Sequence, residues 1–517
     1  MKFALIRNGL APSLLLLGAL LGAPSLAGAQ TAQAPAPTTR VGQAQATPDP
    51  AAACGCEAQP LPEVLATVGG VKVTPQDISP EVRQRIAGLQ QQVVEARKRE
   101  LDLQINSALL EAEAKKRGVS ATKLLEAEVV ARTQEPTEAE AQKFYDANKA
   151  RIPGDFNSVK ADIVAFLREQ RQREQAAKLS ESLRAAAQIR KNVAEATPPA
   201  TPADRARVLA TVNGKNITSG DVEDSLRPLV FSVQEQVYRL RAQEVELKVN
   251  DILLSGEAQK RGVTPKALLE AEVNSKLPAV TDADAQRFYD ENKARIQGDF
   301  AQTKEQIVQY LRETAERKAQ GEFAGRLRAA AQVRTYLTPP APPVYEIATD
   351  DQPSKGGAAA AVTVVEFTDF QCPSCAATHP VLERIAAEYG DRIRLVVRDY
   401  PLSQHADAQK AAEAAEAARE QGKYWEYTML LYQNQSALGV AKLKEYASRV
   451  GLDRAKFDAA LDSGKYAESV HRDMADGDRV GVAGTPTIFV NGRRVENASY
   501  DALKAAIEAA LKTPRTE

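Results

Sequence analysis

The sequence predicts a multidomain chain in which two mainly α-helical repeat domains precede a C-terminal α/β domain, and three observations carry that prediction. A stretch that begins near residue 65 returns near residue 209 with many identities at constant spacing. An apolar, β-branched run, Val362-Thr363-Val364-Val365-Glu366-Phe367, leads into Cys372-Pro373-Ser374-Cys375 and then into residues with helical spacing, a strand–CxxC–helix order. Proline-rich seams at 197–202 and 339–343 separate the copies from each other and from the C-terminal part.

At the N-terminus, Lys2 and Arg7 form a positive region, residues 10–21 an apolar one, and Ala27-Gly28-Ala29 an A-x-A-like cleavage site. Residues 1–29 are therefore expected to be a cleavable signal peptide, which places the mature protein in the periplasm or outside the cell. The apolar run is short for a membrane span, and an uncleaved anchor is the alternative. Residues 30–62 are rich in Ala, Pro, Thr and Gln and read as a disordered tether. Cys54-Gly55-Cys56 lies inside it. A disulfide across one residue closes a small, easily reduced ring, so Cys54 and Cys56 are a candidate auxiliary redox pair that a flexible arm could carry to Cys372. The bland alternative is a pair that oxidises and does nothing.

The repeat occupies 63–192 and 207–336, with a linker at 193–206 and another at 337–343. Leu65-Ala66-Thr67-Val68 returns as Leu209-Ala210-Thr211-Val212, Lys116-Arg117-Gly118-Val119 as Lys260-Arg261-Gly262-Val263, and Phe144-Tyr145-Asp146 as Phe288-Tyr289-Asp290. The offset is constant (209 − 65 = 144), so this is a duplicated domain rather than a short-period solenoid. Each copy opens with extended residues around a turn signal, Gly69-Gly70 or Asn213-Gly214. Long helices follow. Arg117-Gly118 and Arg261-Gly262 read as helix ends, and Thr137-Glu138-Ala139-Glu140 and Thr281-Asp282-Ala283-Asp284 as capping boxes.

Residues 210–214, the Arg-Gly-Val helix ends and the Phe-Tyr-Asp-x-Asn-Lys segments resemble the N-terminal chaperone region of SurA/PrsA-type peptidyl-prolyl isomerases. In that family an isomerase module follows the last of these segments. Here Gly154-Asp155-Phe156 and Gly298-Asp299-Phe300 run almost directly into a closing helix, and no histidine precedes His379. Prolyl isomerase activity is therefore not expected, and the resemblance implies a substrate-holding role. Spacers or dimerisation arms are the alternative.

In the C-terminal part, a strand–CxxC–helix order puts the first thiol at a helix N-terminus, where free N–H groups and the dipole favour a thiolate. Pro373 suits the first helical turn. Zinc would need about four ligands; Cys54 and Cys56 lie far away, His379 would give a third ligand, and no fourth is evident. No metal is expected.

Residues 344–517 resemble the DsbA family of thioredoxin-fold thiol–disulfide oxidoreductases. The resemblance rests on Phe367-Thr368-Asp369-Phe370-Gln371-Cys372-Pro373-Ser374-Cys375, Asp399-Tyr400-Pro401-Leu402, His405, Gln421-Gly422-Lys423-Tyr424-Trp425, Gly484-Thr485-Pro486-Thr487 and Val490-Asn491-Gly492-Arg493. It implies an α/β thioredoxin fold split by a helical insertion at about 404–478. It also implies roles: Cys372 as nucleophile, Cys375 as resolving thiol, and Pro486 as a cis-proline facing them. Thr485 and Gly484, with Pro373 and Ser374, would bind an extended substrate. Glu366, in mid-strand where the family often has a buried acid, would exchange a proton with Cys375; the alternative is that it faces water. His379 reads as a packing residue at the His-Pro step, and His405 and His471 as surface or core histidines.

Acidic and basic residues nearly cancel (68 against 67), so no polyanion is implied, and no nucleic-acid patch, P-loop or dinucleotide fingerprint is present. The expected function is an exported thiol–disulfide oxidoreductase that uses no cofactor beyond its redox-active Cys372–Cys375 disulfide. Its partners would be unfolded or partly folded exported proteins and a redox partner, expected in the membrane. Oxidase is the leading reading. Ser374 adds no positive charge, which leaves isomerase or reductase close behind; a holdase with the redox unit as scaffold is the remaining alternative.

Overall fold

The computed structural model describes residues 54–57, 60–193, 196–199, 201–293 and 295–512. The expected signal peptide and most of the expected tether lie outside the described residues.

In the first copy, β1 (Ala66–Val68) and β2 (Val71–Val73) form a hairpin turned at Gly69-Gly70, both at positive φ. Helix α1 (Pro80–Arg117) stops at Gly118, whose φ of +66° suits a residue without Cβ. α2 (Ala121–Leu125), α3 (Glu138–Asn148) and α4 (Phe156–Ala185) follow, and β3 (Ile189–Lys191) closes the copy. The second copy repeats this order as β4 (Val208–Val212), β5 (Lys215–Thr218), α5 (Ser219–Lys260), α6 (Pro265–Glu272), α7 (Asp282–Asn292), α8 (Phe300–Ala330) and β6 (Val333–Thr335). Both capping boxes form: Thr137 with Glu140, and Thr281 with Asp284.

The chain divides into two compact units, and the division crosses the copies. One unit holds Val93–Phe231 with Ala341–Glu517, the other Pro50–Gln92 with Ser232–Pro340. In the first, β3 pairs antiparallel with β4 (Ile189 opposite Val212). In the second, β6 pairs with β1 in the same register (Val333 opposite Val68). Each three-stranded sheet thus joins the hairpin of one copy to the closing strand of the other. The helices follow suit. Leu209, Val212 and Ile217 pack with Leu101, Ile105 and Leu109, whereas Leu65, Val68 and Val73 pack with Val245, Val249 and Leu253. An isolated two-stranded hairpin is marginal in water, so each hairpin needs the third strand and the helix that its counterpart supplies.

Cys54 and Cys56 are disulfide-bonded and buried in the second unit. The neighbouring Glu57 carboxylate accepts from Arg241 Nη2 at 2.6 Å and from Gln90 Nε2 at 3.4 Å. The expectation of a flexible arm is thereby corrected for residues 54–57: burial and a part-buried ion pair hold the pair in place.

The C-terminal domain contains β7 (Ser354–Gly356), β8 (Val362–Thr368), α9 (Pro373–Tyr389), β9 (Ile393–Asp399), α10 (Ala408–Glu420), α11 (Tyr424–Gln433), α12 (Val440–Arg449), α13 (Arg454–Asp462), α14 (Ala467–Arg479), β10 (Thr487–Val490), β11 (Arg493–Val495) and α15 (Tyr500–Lys512). The five-stranded sheet runs β11-β10-β8-β9-β7. β8 and β9 are parallel, joined by the α9 crossover, and β10 returns antiparallel to β8. Strand alternation splits the core. Val362, Val364, Leu395 and Ile488 pack with Leu382 and Ile385 of α9 and Leu503 and Ile507 of α15; Val365, Phe367 and Phe489 pack with the helices inserted between β9 and β10. No helix among the described residues is long and apolar enough to cross a membrane.

Candidate active site

Strand β8 delivers the chain to the site. Its last residue, Thr368, leads into a turn at 369–371 in which Cys372 N–H donates to the Asp369 carbonyl (3.1 Å). Cys372 is the N-cap of α9 with extended backbone, and Pro373 occupies the first turn, where a missing N–H leaves nothing unsatisfied. Across the site, Thr485–Pro486 is a cis peptide, and the Thr485 carbonyl lies 3.4 Å from Cys372 Sγ. Pro373 and Ser374 are exposed and Gly484, Thr485 and Pro486 half-buried, so both strips border the first sulfur from the solvent side.

The two thiols are free and unequal. Cys372 is pulled down to about 5: the Cys375 thiol donates to it, with help from the Thr485 hydroxyl and the N–H groups of Cys375 and Ser374, against the opposing effect of burial. Cys375, fully buried, is pushed up by sharing its proton with Cys372, by burial and by the charge of Glu366. One sulfur is therefore set to attack or leave as a thiolate, and the other stays protonated.

Glu366 faces the interior, at 2 % exposure, and its Oε1 has no hydrogen-bond partner among the described residues. Burial raises it to about 8, the Thr368 hydroxyl opposes that, and the like charge of Glu383 adds to it. At neutral pH it is a carboxylic acid beside a buried thiol, able to give Cys375 a proton or take one.

Residues 348–509 match the model of a family described as Thioredoxin. The C-terminal part of the chain is a thioredoxin-fold domain. Among curated proteins the chain is similar to the Na(+)/H(+) antiporter NhaA 3 of Salinispora tropica (42% identical over 163 residues, 31% of this chain and 25% of that protein). It is also similar to the Na(+)/H(+) antiporter NhaA of Herminiimonas arsenicoxydans (38% over 194 residues, 37% and 31%). The match spans less than a third of the length of either relative. Among solved structures it is similar to BdbD from Bacillus subtilis (26% identical, 34% of this chain and 100% of that one, TM-score 0.31). A thioredoxin-like oxidoreductase from Silicibacter pomeroyi is similar too (27%, 32% and 94%, TM-score 0.28).

The thioredoxin domain braces the turn before Cys372 with residues to which the sequence assigned no role at the site. Asp369, buried, accepts from the backbone N–H of Gln371 (2.7 Å) and Leu402 (2.8 Å) and pairs with His405 Nδ1 (2.7 Å). Gln371 Oε1 in turn accepts from Asp407 N–H at 2.9 Å. The turn before Cys372 is thus tied to the segment between β9 and α10, and His405 is a hydrogen-bonded partner of that turn rather than a plain surface or core histidine. The sequence signal was Asp369 itself, an acid inside an apolar run just before the first cysteine. Tyr432, in α11, and Gln435, in the turn that follows it, also reach the turn and carried no local signal.

Proposed function

We propose that the protein is an exported thiol–disulfide oxidoreductase that forms or exchanges disulfides in unfolded exported proteins while its duplicated helical region holds them. The observation that carries this reading is the Cys372 thiol at the N-terminus of α9, opposite the Thr485 carbonyl at cis-Pro486 and strongly favoured as a thiolate. A stable thiolate stabilises the reduced enzyme, which makes the Cys372–Cys375 disulfide oxidising.

In the forward direction a client thiolate attacks Cys372 Sγ of the Cys372–Cys375 disulfide. The bond to the client forms as the bond to Cys375 breaks, and Cys375 takes its proton from the Glu366 carboxyl. A second client thiolate then attacks the client sulfur, closing the client disulfide and releasing Cys372 as its stable thiolate. Two electrons have passed from client to enzyme, and a membrane-bound redox partner would remove them; no cofactor is needed beyond the cysteine pair. The backbone at Thr485 suits pairing with an extended client. The buried Cys54–Cys56 disulfide takes no part in this cycle.

Support for client holding comes from aromatic pairs repeated in both copies, Phe144 with Phe166 (5.2 Å between ring centroids) and Phe288 with Tyr310 (5.3 Å). The outer rings are 48% and 49% exposed, available to apolar segments of an unfolded chain. Placement in the periplasm rests on the signal-like N-terminus.

The test is a glutathione titration of the full-length protein, with Cys372→Ser as control. A reduction potential near about −120 mV fits an oxidase, whereas one near about −270 mV would make the protein a reductant. Exchange activity retained by Cys372→Ser would remove the assignment.

A further inference from the structure

Both sulfurs of the thioredoxin domain are served by one turn of the helical insertion, at the end of α11. Gln435 Nε2 donates to the carbonyl of Phe370 (3.0 Å) and to that of Cys372 (2.8 Å). The Cys372 carbonyl also accepts from Cys375 N–H (3.1 Å) and Ala376 N–H (3.2 Å). That oxygen is where the first turn of α9 and the insertion meet. Three residues earlier, Tyr432 Oη lies 2.8 Å from Thr368 Oγ1. Thr368 shares the sheet face of Glu366, two residues back along β8. Its hydroxyl interacts with both the Glu366 carboxyl and the Cys375 thiol. The Tyr432 ring is fixed by Phe370 (5.2 Å between centroids) and by His379 stacked upon it (4.7 Å).

We propose that Gln435 and Tyr432 are positioning residues, one for each sulfur: Gln435 fixes the backbone that presents Cys372, and Tyr432 orients the hydroxyl that serves Cys375 and Glu366. The inference rests on the thiol–disulfide reading of the site. Gln435 pins two carbonyls of the catalytic turn at once, which keeps the N–H groups of Ser374 and Cys375 aimed at the Cys372 sulfur. Without that amide these carbonyls lose their only side-chain link to the turn after α11 among the described contacts, and the thiolate loses part of its support. Tyr432 acts differently. A hydroxyl has one proton to give. With the Tyr432 hydroxyl donating to Thr368, the Thr368 proton is free to turn to Cys375 as that sulfur leaves and as Glu366 hands over its proton.

The two roles separate in an experiment on the full-length protein. Gln435→Met and Tyr432→Phe remove the polar atoms with little change of shape. Two quantities are read: the midpoint at which the reduced enzyme gains thiolate absorbance, and the rate and pH profile of glutathione attack on the oxidised enzyme. Gln435→Met is expected to raise the thiolate midpoint, and Gln435→Glu, which keeps the shape and reverses the donor, to raise it further. Tyr432→Phe is expected to leave the midpoint in place and slow glutathione attack by about fivefold, the worth of one lost hydrogen bond, with an altered pH profile. Thr368→Val should match Tyr432→Phe, and the double variant should be no slower than either single one. Parent-like midpoints in both Gln435 variants, or additive effects of Thr368→Val and Tyr432→Phe, would overturn the inference. An absence of glutathione exchange in the parent enzyme would instead sink the reading of the site, while the thiolate midpoint would still test Gln435.

Discussion

The helical copies and the thioredoxin domain bury different things. Each copy builds small apolar clusters, Ala141, Tyr145 and Ile163 in one and Ala285, Tyr289 and Ile307 in the other, and keeps many of its ion pairs near the surface, with Arg97, buried and paired with Glu223 at 2.7 Å, as an exception. Arg117 with Glu113 and Glu128 recurs as Arg261 with Glu257 and Glu272. The thioredoxin domain instead buries Glu366, Asp369, Arg398, Asp399, Glu413, Glu416 and Asp473. A buried charge is tolerated only when it is paired, hydrogen-bonded or neutralised. The difference teaches that the copies are held mainly by apolar packing and strand pairing that recur in both, whereas the geometry around the cysteines depends on specific buried partners and on their protonation.

The sharpest way to break that comparison is to remove a buried partner. Asp473 accepts from Arg398 Nη2 (2.7 Å) and Nε (3.2 Å), from Asp399 N–H (3.1 Å) and from Gln352 Nε2 (2.9 Å). Asp473→Ala leaves Arg398, 2% exposed, with only Asp476 as carboxylate partner among the described ion pairs. A loss of about 3 kcal/mol is expected, within the range for breaking a buried pair. The chain has one tryptophan, Trp425, inside this domain, so its fluorescence during urea unfolding reports the domain directly. Glu113→Ala, which removes one of the two carboxylate partners of Arg117 and leaves Glu128, should cost little, read by hydrogen exchange over α1 because Trp425 does not report that copy. Equal losses would erase the distinction.

A second comparison turns on protonation. Glu366 is raised to about 8 by burial, from an ordinary value of 4.5. A raised carboxyl holds its proton in the folded state, so its stabilising contribution is full below about 4.5 and is lost as pH rises through about 8. Between those limits a single such group makes stability fall by up to about 1.4 kcal/mol per pH unit. Glu366→Gln removes the titrating group. The variant is expected to match the parent at acid pH and to exceed it at pH above 8, with Trp425 fluorescence again the readout. Parallel pH–stability curves for the two proteins would show that Glu366 is not a buried acid in solution.

What the sequence made legible was local. The strand–CxxC–helix order, the caps at Thr137 and Thr281 and the glycine stops at 118 and 262 are spelled out within a few residues, and the structure has each of them. The exchange of hairpins between copies was not legible, for a specific reason. Ala66-Thr67-Val68 and Ala210-Thr211-Val212 are identical, so a closing strand is as complementary to its own copy's hairpin as to the other's. Sequence pattern cannot choose between two equal pairings. The braces of the site failed for distance: Asp369 meets His405 across 36 residues, and Gln435 meets Phe370 across 65. Cys54 and Cys56 were misplaced because an Ala/Pro-rich neighbourhood argues for disorder, while the ion pair that fixes Glu57 comes from Arg241, 184 residues on.

The smallest expected effect tests whether the copies are equivalent in energy as well as in shape. Tyr145 Oη donates to the Gly154 carbonyl at 2.7 Å, and Tyr289 Oη to the Gly298 carbonyl at 3.0 Å, the same contact at the same offset. Both glycines sit at positive φ, +100° and +103°, so each tyrosine locks a turn that few other residues could make. Tyr145→Phe and Tyr289→Phe each remove one hydrogen bond and keep the ring, for an expected loss of about 1 kcal/mol. Trp425 lies outside these hairpins, so the measurement is hydrogen exchange, read by mass spectrometry over α3–α4 and α7–α8. Equal loosening, each confined to its own hairpin and additive in the double variant, fits two copies that are equivalent in energy. A markedly larger effect in one copy would mean that the duplication has diverged in stability.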